Sequence, residues 1–327
     1  MPCYTFGGEY RDCADVRIAR RIASLCGQEH RTIAVGRDFC DEFPSLAERS
    51  VYISDGTMDV TGAVELYANC RARDVAPIRL TGNYGSEVVR GNVAFRPGPV
   101  DTQLLNPDFL PLVQAAEHAY RRARDDHEVS FIAFKQVPWF HYARFSIERS
   151  QLTPRSPYLD NELVSLMYQA PHESWRSKSP SLEVIAAGNA RLARVPTDRG
   201  DVGTSPRVAD RLRKRYQEFT FKAEYAYDYG MPQWLAAADH LLAPLHLDRL
   251  FLGRHKFYHF RVWYRDRLAG YIQDILLDPR SRARPHVDGR NLEHLVNEHI
   301  RGLRNHTLAI HQALTAELTY RELIERP

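Results

Sequence analysis

The stretch RLTGNYGSEVVRG, Arg79 to Gly91, runs from a β-favouring start through a glycine-bearing turn to an acid set among aliphatic residues. Glycine lets a backbone come close to a ligand or adopt a positive φ, Thr81 adds a hydroxyl, and Asn83 both donates and accepts hydrogen bonds. In open α/β sheets a turn of this kind is where ligands sit, since the helix that follows presents unpaired N–H groups. Two readings stand side by side: a cradle for phosphate or a nucleotide, and a plain structural turn.

Upstream of this loop the pattern alternates. Cys3 to Phe6 reads as a strand stopped by Gly7 and Gly8. Apolar residues at 16, 18, 19, 22, 23 and 25 mark a helix face, with Asp12 or Asp15 to cap it and Gly27 to end it. Arg31 to Val35 reads as a strand, Asp38 to Arg49 and Asp59 to Arg73 as helices, and PIRLT as the strand that enters the loop. Such alternation predicts an α/β fold, a parallel sheet flanked by helices. The Pro- and Gly-rich FRPGPVDTQ then acts as a connector. Beyond it Pro111–Asp125, Phe140–Gln151, Glu162–Tyr168 and Pro206–Glu218 have helical periodicity. The expected division is residues 1–100 as an α/β core and 101–327 as a mainly helical remainder.

Composition narrows the class. With 327 residues, 44% hydrophobic and 26% charged, the chain has globular usage, which excludes disorder, coiled coil and collagen. A formal charge of +3 is too small to argue for nucleic acid, and the run RVADRLRKRYQEFTFK is expected to turn its basic residues to solvent and Val208, Leu212 and Tyr216 inward. Cys3, Cys13, Cys26, Cys40 and Cys70 form no CxxC pair, which reads as reduced, mostly buried thiols of a cytoplasmic protein. No apolar run approaches the ~18 residues of a membrane span, so no membrane partner is expected. His255 and His259 have the spacing of a shared helix face, though their aromatic neighbours favour packing over a metal.

Specificity comes from what surrounds the loop. Leu80-Thr-Gly-Asn-Tyr-Gly-Ser-Glu-Val-Val-Arg-Gly91 resembles the LSGxGxDExxxGY loop of the asparagine synthetase family. MDVTGAVELYANCRAR is similar to the helix before that loop, and ERSQLTPRSPYLDNELVSLMYQAP to the family's ExRxPFLDxxLV segment, with Arg155, Pro157, Leu159 and Asp160 in place. The C-terminal FRVWYRDRLAGYIQDILLDP and HIRGLRNHTLAIHQALTAELTYREL are similar to the terminal helices of relatives found in bacterial surface-polysaccharide gene sets.

This resemblance implies an adenine nucleotide α-hydrolase-like sheet and an ATP- and Mg²⁺-dependent amide ligase that works through an acyl-adenylate on a small-molecule carboxylate. Phe6 and Gly7 would line the adenine pocket, and Thr81, Gly82 and Asn83 would meet the nucleotide. Tyr84, Gly85, Arg155 and Asp160 would wall the substrate cleft, and Glu87 would be the metal ligand and a catalytic acid. Ser86 stands where the family has the aspartate of GxDE, and the family's SGGxDS pyrophosphate loop falls before Cys3. The first strand is therefore expected to be missing, and Arg199 is the candidate cation for pyrophosphate. A partner would bring the glutaminase or the pyrophosphate loop. The other reading of the same residues is a non-catalytic binding or assembly protein, or a β-lactam-forming relative.

Overall fold

The computed structural model describes residues 1–91, 103–124, 128–171, 173, 179–198, 208–242, 245 and 251–325. In chain order the first elements are β1 (Cys3–Gly8), α1 (Ala14–Leu25), β2 (His30–Val35), α2 (Arg37–Ser54), α3 (Gly62–Arg73), β3 (Ile78–Leu80) and α4 (Gly85–Arg90). Then come α5 (Leu110–Ala123), α6 (Glu128–Phe131), which continues as a π-helical stretch Ile132–His141, α7 (Tyr142–Arg149), β4 (Thr153–Arg155), α8 (Asn161–Gln169) and α9 (Ser179–Gly188). The remainder is helical: α10 (Val208–Tyr225), α11 (Gln233–Leu242), α12 (Phe260–Arg265), α13 (Ala269–Leu276), α14 (Pro279–Arg282), α15 (Gly289–Ile300) and α16 (Thr307–Thr319). The chain is thus mixed α/β with helix dominant. The expected boundary at residue 100 falls outside the described residues.

The strands pair in parallel, as the alternation predicts, but in two separate two-stranded sheets, β1 with β2 and β3 with β4. The single sheet expected from the alternation is therefore not present among the described residues. A physical reason lies in β3, which is three residues long and leaves Ile78 and Leu80 each 63% exposed. Its ladder to β4 is extended by the Thr153 N–H donating to the Pro77 carbonyl at 2.8 Å and the Thr81 N–H to the Arg155 carbonyl at 2.8 Å.

Contacts cluster into two compact units, each built from discontinuous segments. One comprises Met1–Pro44, Ser179–Ile272 and Leu295–Leu308, and the other Ser45–Lys178, Gln273–His294 and Ala309–Pro327.

In the first unit α1 packs on β1 and β2. The helix has Cys13 at its N-cap position with no side-chain cap, and Asp12 just before it pairs with Arg20 at 2.7 Å. Gly27, at φ +64°, ends it as expected, with the Gln28 N–H reaching the Ala23 carbonyl at 2.9 Å. Phe39, Phe43, Phe260, Trp263 and Tyr264 form a buried aromatic core, with Phe260 and Trp263 edge-to-face at 5.3 Å. Beside these lies an unusual set of buried charges. Lys256 pairs with the fully buried Asp228 and sits 3.7 Å from the centroid of the Tyr229 ring. Glu224 accepts the N–H groups of Gly253 at 2.6 Å and His255 at 2.7 Å. Burial lowers the Lys256 pKa and raises that of Glu224, while Asp228 partly restores the lysine charge.

His255 and His259 do not share a helix face, since residues 251–259 are turns and bends that precede α12. Among the described residues no group of three or more His, Cys, Asp or Glu is placed to hold a metal. Every cysteine is free; Cys13 and Cys40 are buried and Cys26 is exposed, so burial covers fewer of the five than expected. Burial pushes the Cys40 thiol up to about 11. On α10 Arg211, Arg213, Arg215 and Lys222 face solvent as expected, but Leu212 and Tyr216 do not turn inward, being 64% and 55% exposed. The Val208 side chain lies outside the described residues. Among the described residues no helix is long and apolar enough to cross a membrane.

In the second unit α3 packs on α7, and α4 on α8. Tyr84, Val88, Val89 and Met167 form a small core with Phe145, Tyr158 and Val164 against it. Toward the C-terminus Arg284 makes two hydrogen bonds with Glu317, at 2.9 and 3.0 Å, and one with Glu325 at 2.7 Å.

Candidate functional site

The loop between β3 and α4 is tied down from several sides. The Asn83 N–H donates to Thr81 Oγ1 at 3.2 Å, a local turn that the threonine hydroxyl makes possible. Ser156 Oγ donates to the Asn83 carbonyl at 2.6 Å, and Asn83 Nδ2 donates to Glu148 Oε1 at 3.0 Å. Tyr84 takes a left-handed backbone, φ 72° and ψ −5°, a conformation that disfavours a bulky side chain. Its ring is held by burial, stacked on Phe145 with centroids 4.8 Å apart and edge-on to His141 at 4.7 Å. Burial also raises its phenol pKa. Gly85 is needed for a different reason, since a Cβ there would lie 2.9 Å from the Tyr158 ring.

Around this loop lies a cavity of about 190 Å³ lined by Gly82, Asn83, Tyr84, Ser86, Glu87, His141 and Arg144. Glu87 lies in the first turn of α4, with its Oε1 3.9 Å from His141 Nε2. Gln136 and His141 Nε2 are 2.9 Å apart, and both residues are buried. Burial, and then the charge of Arg144, lowers the His141 pKa to about 4, so the imidazole facing Glu87 is neutral at pH 7. Arg144 reaches Glu65 Oε1 at 2.9 Å and Glu148 Oε1 at 3.6 Å. Glu148, 1% exposed, also meets Arg79 at 2.9 Å, and Arg79 in turn donates to Asn69 Oδ1 at 2.6 Å. One buried carboxylate thus links the loop, β3 and α7.

The sequence reading and this geometry coincide in part. Gly82, Asn83, Tyr84 and Glu87 line the cavity, and Ser86 joins them with Arg90 donating to its hydroxyl. Thr81 and Gly85 shape the loop without lining the cavity. Asp160 takes the capping alternative, accepting the Glu162 and Leu163 N–H groups at 2.9 and 3.3 Å. Arg155 contributes its carbonyl to the β3–β4 ladder while its side chain is exposed. Gly82 follows β3 in the second unit, whereas Phe6 and Gly7 lie on β1 in the first. The glycines there are explained by packing: a Cβ on Gly7 would lie 2.7 Å from Thr32 Cγ2, and one on Gly8 2.5 Å from the Phe257 carbonyl oxygen. Arg199 lies outside the described residues.

Reading the motifs alone passed over His141, Arg144 and Glu148. Their spacing of three and then four residues places them on one face of α7 and its approach, a polar stripe in an aromatic-rich segment, and that was the available signal.

The described lining of this cavity does not by itself make a site for Mg²⁺ and ATP. Mg²⁺ takes one or two carboxylates together with waters and substrate phosphates, and the lining offers one carboxylate, Glu87, facing a histidine. A cavity of about 190 Å³ is also small beside the ~300–1,000 Å³ of drug-sized ligand sites. No protein-family model matches the chain, and comparison with curated proteins and with solved structures gives no match either. Fold and site together define a mixed α/β chain with a small polar pocket at a strand-to-helix loop.

Proposed function

We propose that the cavity binds a small amino acid, as the acceptor pocket of an asparagine-synthetase-like chain of adenine nucleotide α-hydrolase-like ancestry. The observation that carries this is the pairing of Glu87 with a neutral histidine inside a cavity of about 190 Å³, a volume of roughly six waters. A carboxylate 13% exposed beside an uncharged imidazole gains from a ligand ammonium. Arg144, on α7 in the same lining, already meets Glu65 and Glu148 and would share its guanidinium with a ligand carboxylate. The ATP-dependent amide formation that the sequence resemblance implies would need nucleotide and metal groups beyond this lining, so the reading for the described residues is binding.

Isothermal titration with aspartate, glutamate, their N-acetyl derivatives and succinate tests this. Free amino acids bind, the N-acetyl compounds and succinate do not, and Glu87→Gln weakens binding about ten-fold or more, as for loss of a charged hydrogen bond. Equal binding of N-acetyl-aspartate and aspartate, or an unaffected Glu87→Gln variant, refutes it. Release of pyrophosphate from ATP, measured alongside, reports separately on amide-ligase chemistry.

A further inference from the structure

On α10 the exposed residues form an ordered pattern. Leu212, Tyr216 and Phe219, 64%, 55% and 69% exposed, fall on one face at spacings of four and three and run about 10 Å along the helix. Arg211, Arg215 and Lys222 fall along one edge of that stripe, about 90° away around the helix, and Arg213 falls along the other. All four are exposed, and among the described residues none is in an ion pair. An apolar stripe facing water, with Arg211, Arg215 and Lys222 around a single Glu218 on one edge and Arg213 on the other, is the reverse of a core-facing helix, whose apolar face is covered. The same unit exposes a second apolar face on α11, where Trp234 and Leu241, 74% and 79% exposed, lie seven residues apart.

From this we infer that α10 docks on an anionic lipid surface, lying in the interface with its stripe in the acyl boundary and its arginines at the phosphate level. A planar sheet of negative charge engages both cationic edges at once, and long basic side chains reach headgroups while their stems cover apolar surface. The exposed Trp234 adds a residue type favoured at the interface. An acidic protein groove would have to match both edges with separate carboxylates. The docking is independent of the amino-acid pocket, which lies in the other unit.

Co-flotation of the full-length protein with large vesicles tests it, using phosphatidylcholine alone and with about 30% phosphatidylserine. Binding is expected to the anionic vesicles only, and to fall between about 50 and 300 mM salt as screening shortens the reach of the charges. At about 1 kcal/mol per cation, Arg211→Gln with Arg215→Gln weakens it about thirty-fold. Leu212→Ser with Phe219→Ser abolishes stable binding while the charge is kept. Because all four positions are exposed, circular dichroism should show each variant folded, and Arg290→Gln, a basic change elsewhere, leaves binding intact. Absence of binding to anionic vesicles at low salt overturns the inference. So does vesicle binding indifferent to the α10 variants, or capture of heparin or an acidic amphipathic peptide in place of vesicles.

Discussion

Replacing Glu148 tests whether the pocket is held together by one buried carboxylate. The side chain is 1% exposed and meets Asn83 at 3.0 Å, Arg79 at 2.9 Å and Arg144 at 3.6 Å. Glu148→Ala leaves Arg79, 11% exposed, with its Asn69 bond but without its ion partner, and removes the acceptor from Asn83. Breaking a buried pair on one side costs about 3–5 kcal/mol, and the surviving Asn69 bond puts this case near about 3 kcal/mol. Glu148→Gln keeps an acceptor for Asn83 and removes only the charge, so about 1.5–3 kcal/mol is expected. The assay is urea unfolding of the single variants and of Arg79→Met with Glu148→Met, read as a double-mutant cycle. The double variant should cost less than the two single methionine changes together, by about 1 kcal/mol or more. If Glu148→Ala costs less than about 1 kcal/mol, or the cycle shows no coupling, the carboxylate does not organise the loop and the reasoning fails.

Gly85→Ala places a methyl group 2.9 Å from the Tyr158 ring and should lower stability by about 1–3 kcal/mol, seen as a lower thermal midpoint; an unchanged midpoint would mean the ring moves freely. Lys256→Met strands the fully buried Asp228 and should cost about 3–5 kcal/mol, while adding Asp228→Asn recovers much of it; equal losses would argue against a coupled pair. Burial lowers the folded His141 pKa to about 4 from an ordinary 6.5, so the unfolded chain binds the proton more readily. Its contribution is complete above pH 6.5 and is lost as pH falls toward 4, by about 3 kcal/mol. Urea midpoints between pH 7 and 4 should fall less steeply in His141→Asn than in the parent, and parallel profiles would refute the assignment.

Local elements were legible in the sequence because they rest on local physics. The β1 run, the apolar spacing of α1 with Gly27 behind it, and the Gly-bearing turn after β3 all appear close to where periodicity and turn chemistry put them. Pairing was not legible. That β3 joins Thr153–Arg155, some seventy residues on, depends on which distant segment offers its carbonyls, and TPR carries little strand signal of its own. The site was half legible for the same reason. Asn83 sits in the loop that draws attention and Glu87 in the helix turn that follows it, whereas His141, Arg144 and Glu148 arrive from α7 and its approach, whose own pattern reads as packing. The exposed stripe on α10 was misread because helical periodicity shows that residues share a face without showing what lies opposite.

The interleaving of the two units bears on how the molecule is made. Residues 1–44 belong with a segment ending at 308, so the amino-terminal strand pair leaves the ribosome long before the helices that complete its unit. At about 5–20 residues per second that interval is roughly ten to sixty seconds, during which half-built apolar surface is open to chaperones and to its own neighbours on a polysome. A trimming of the last third of the chain would therefore deprive both units at once, and rescue by co-expressing the missing piece would have to restore both together.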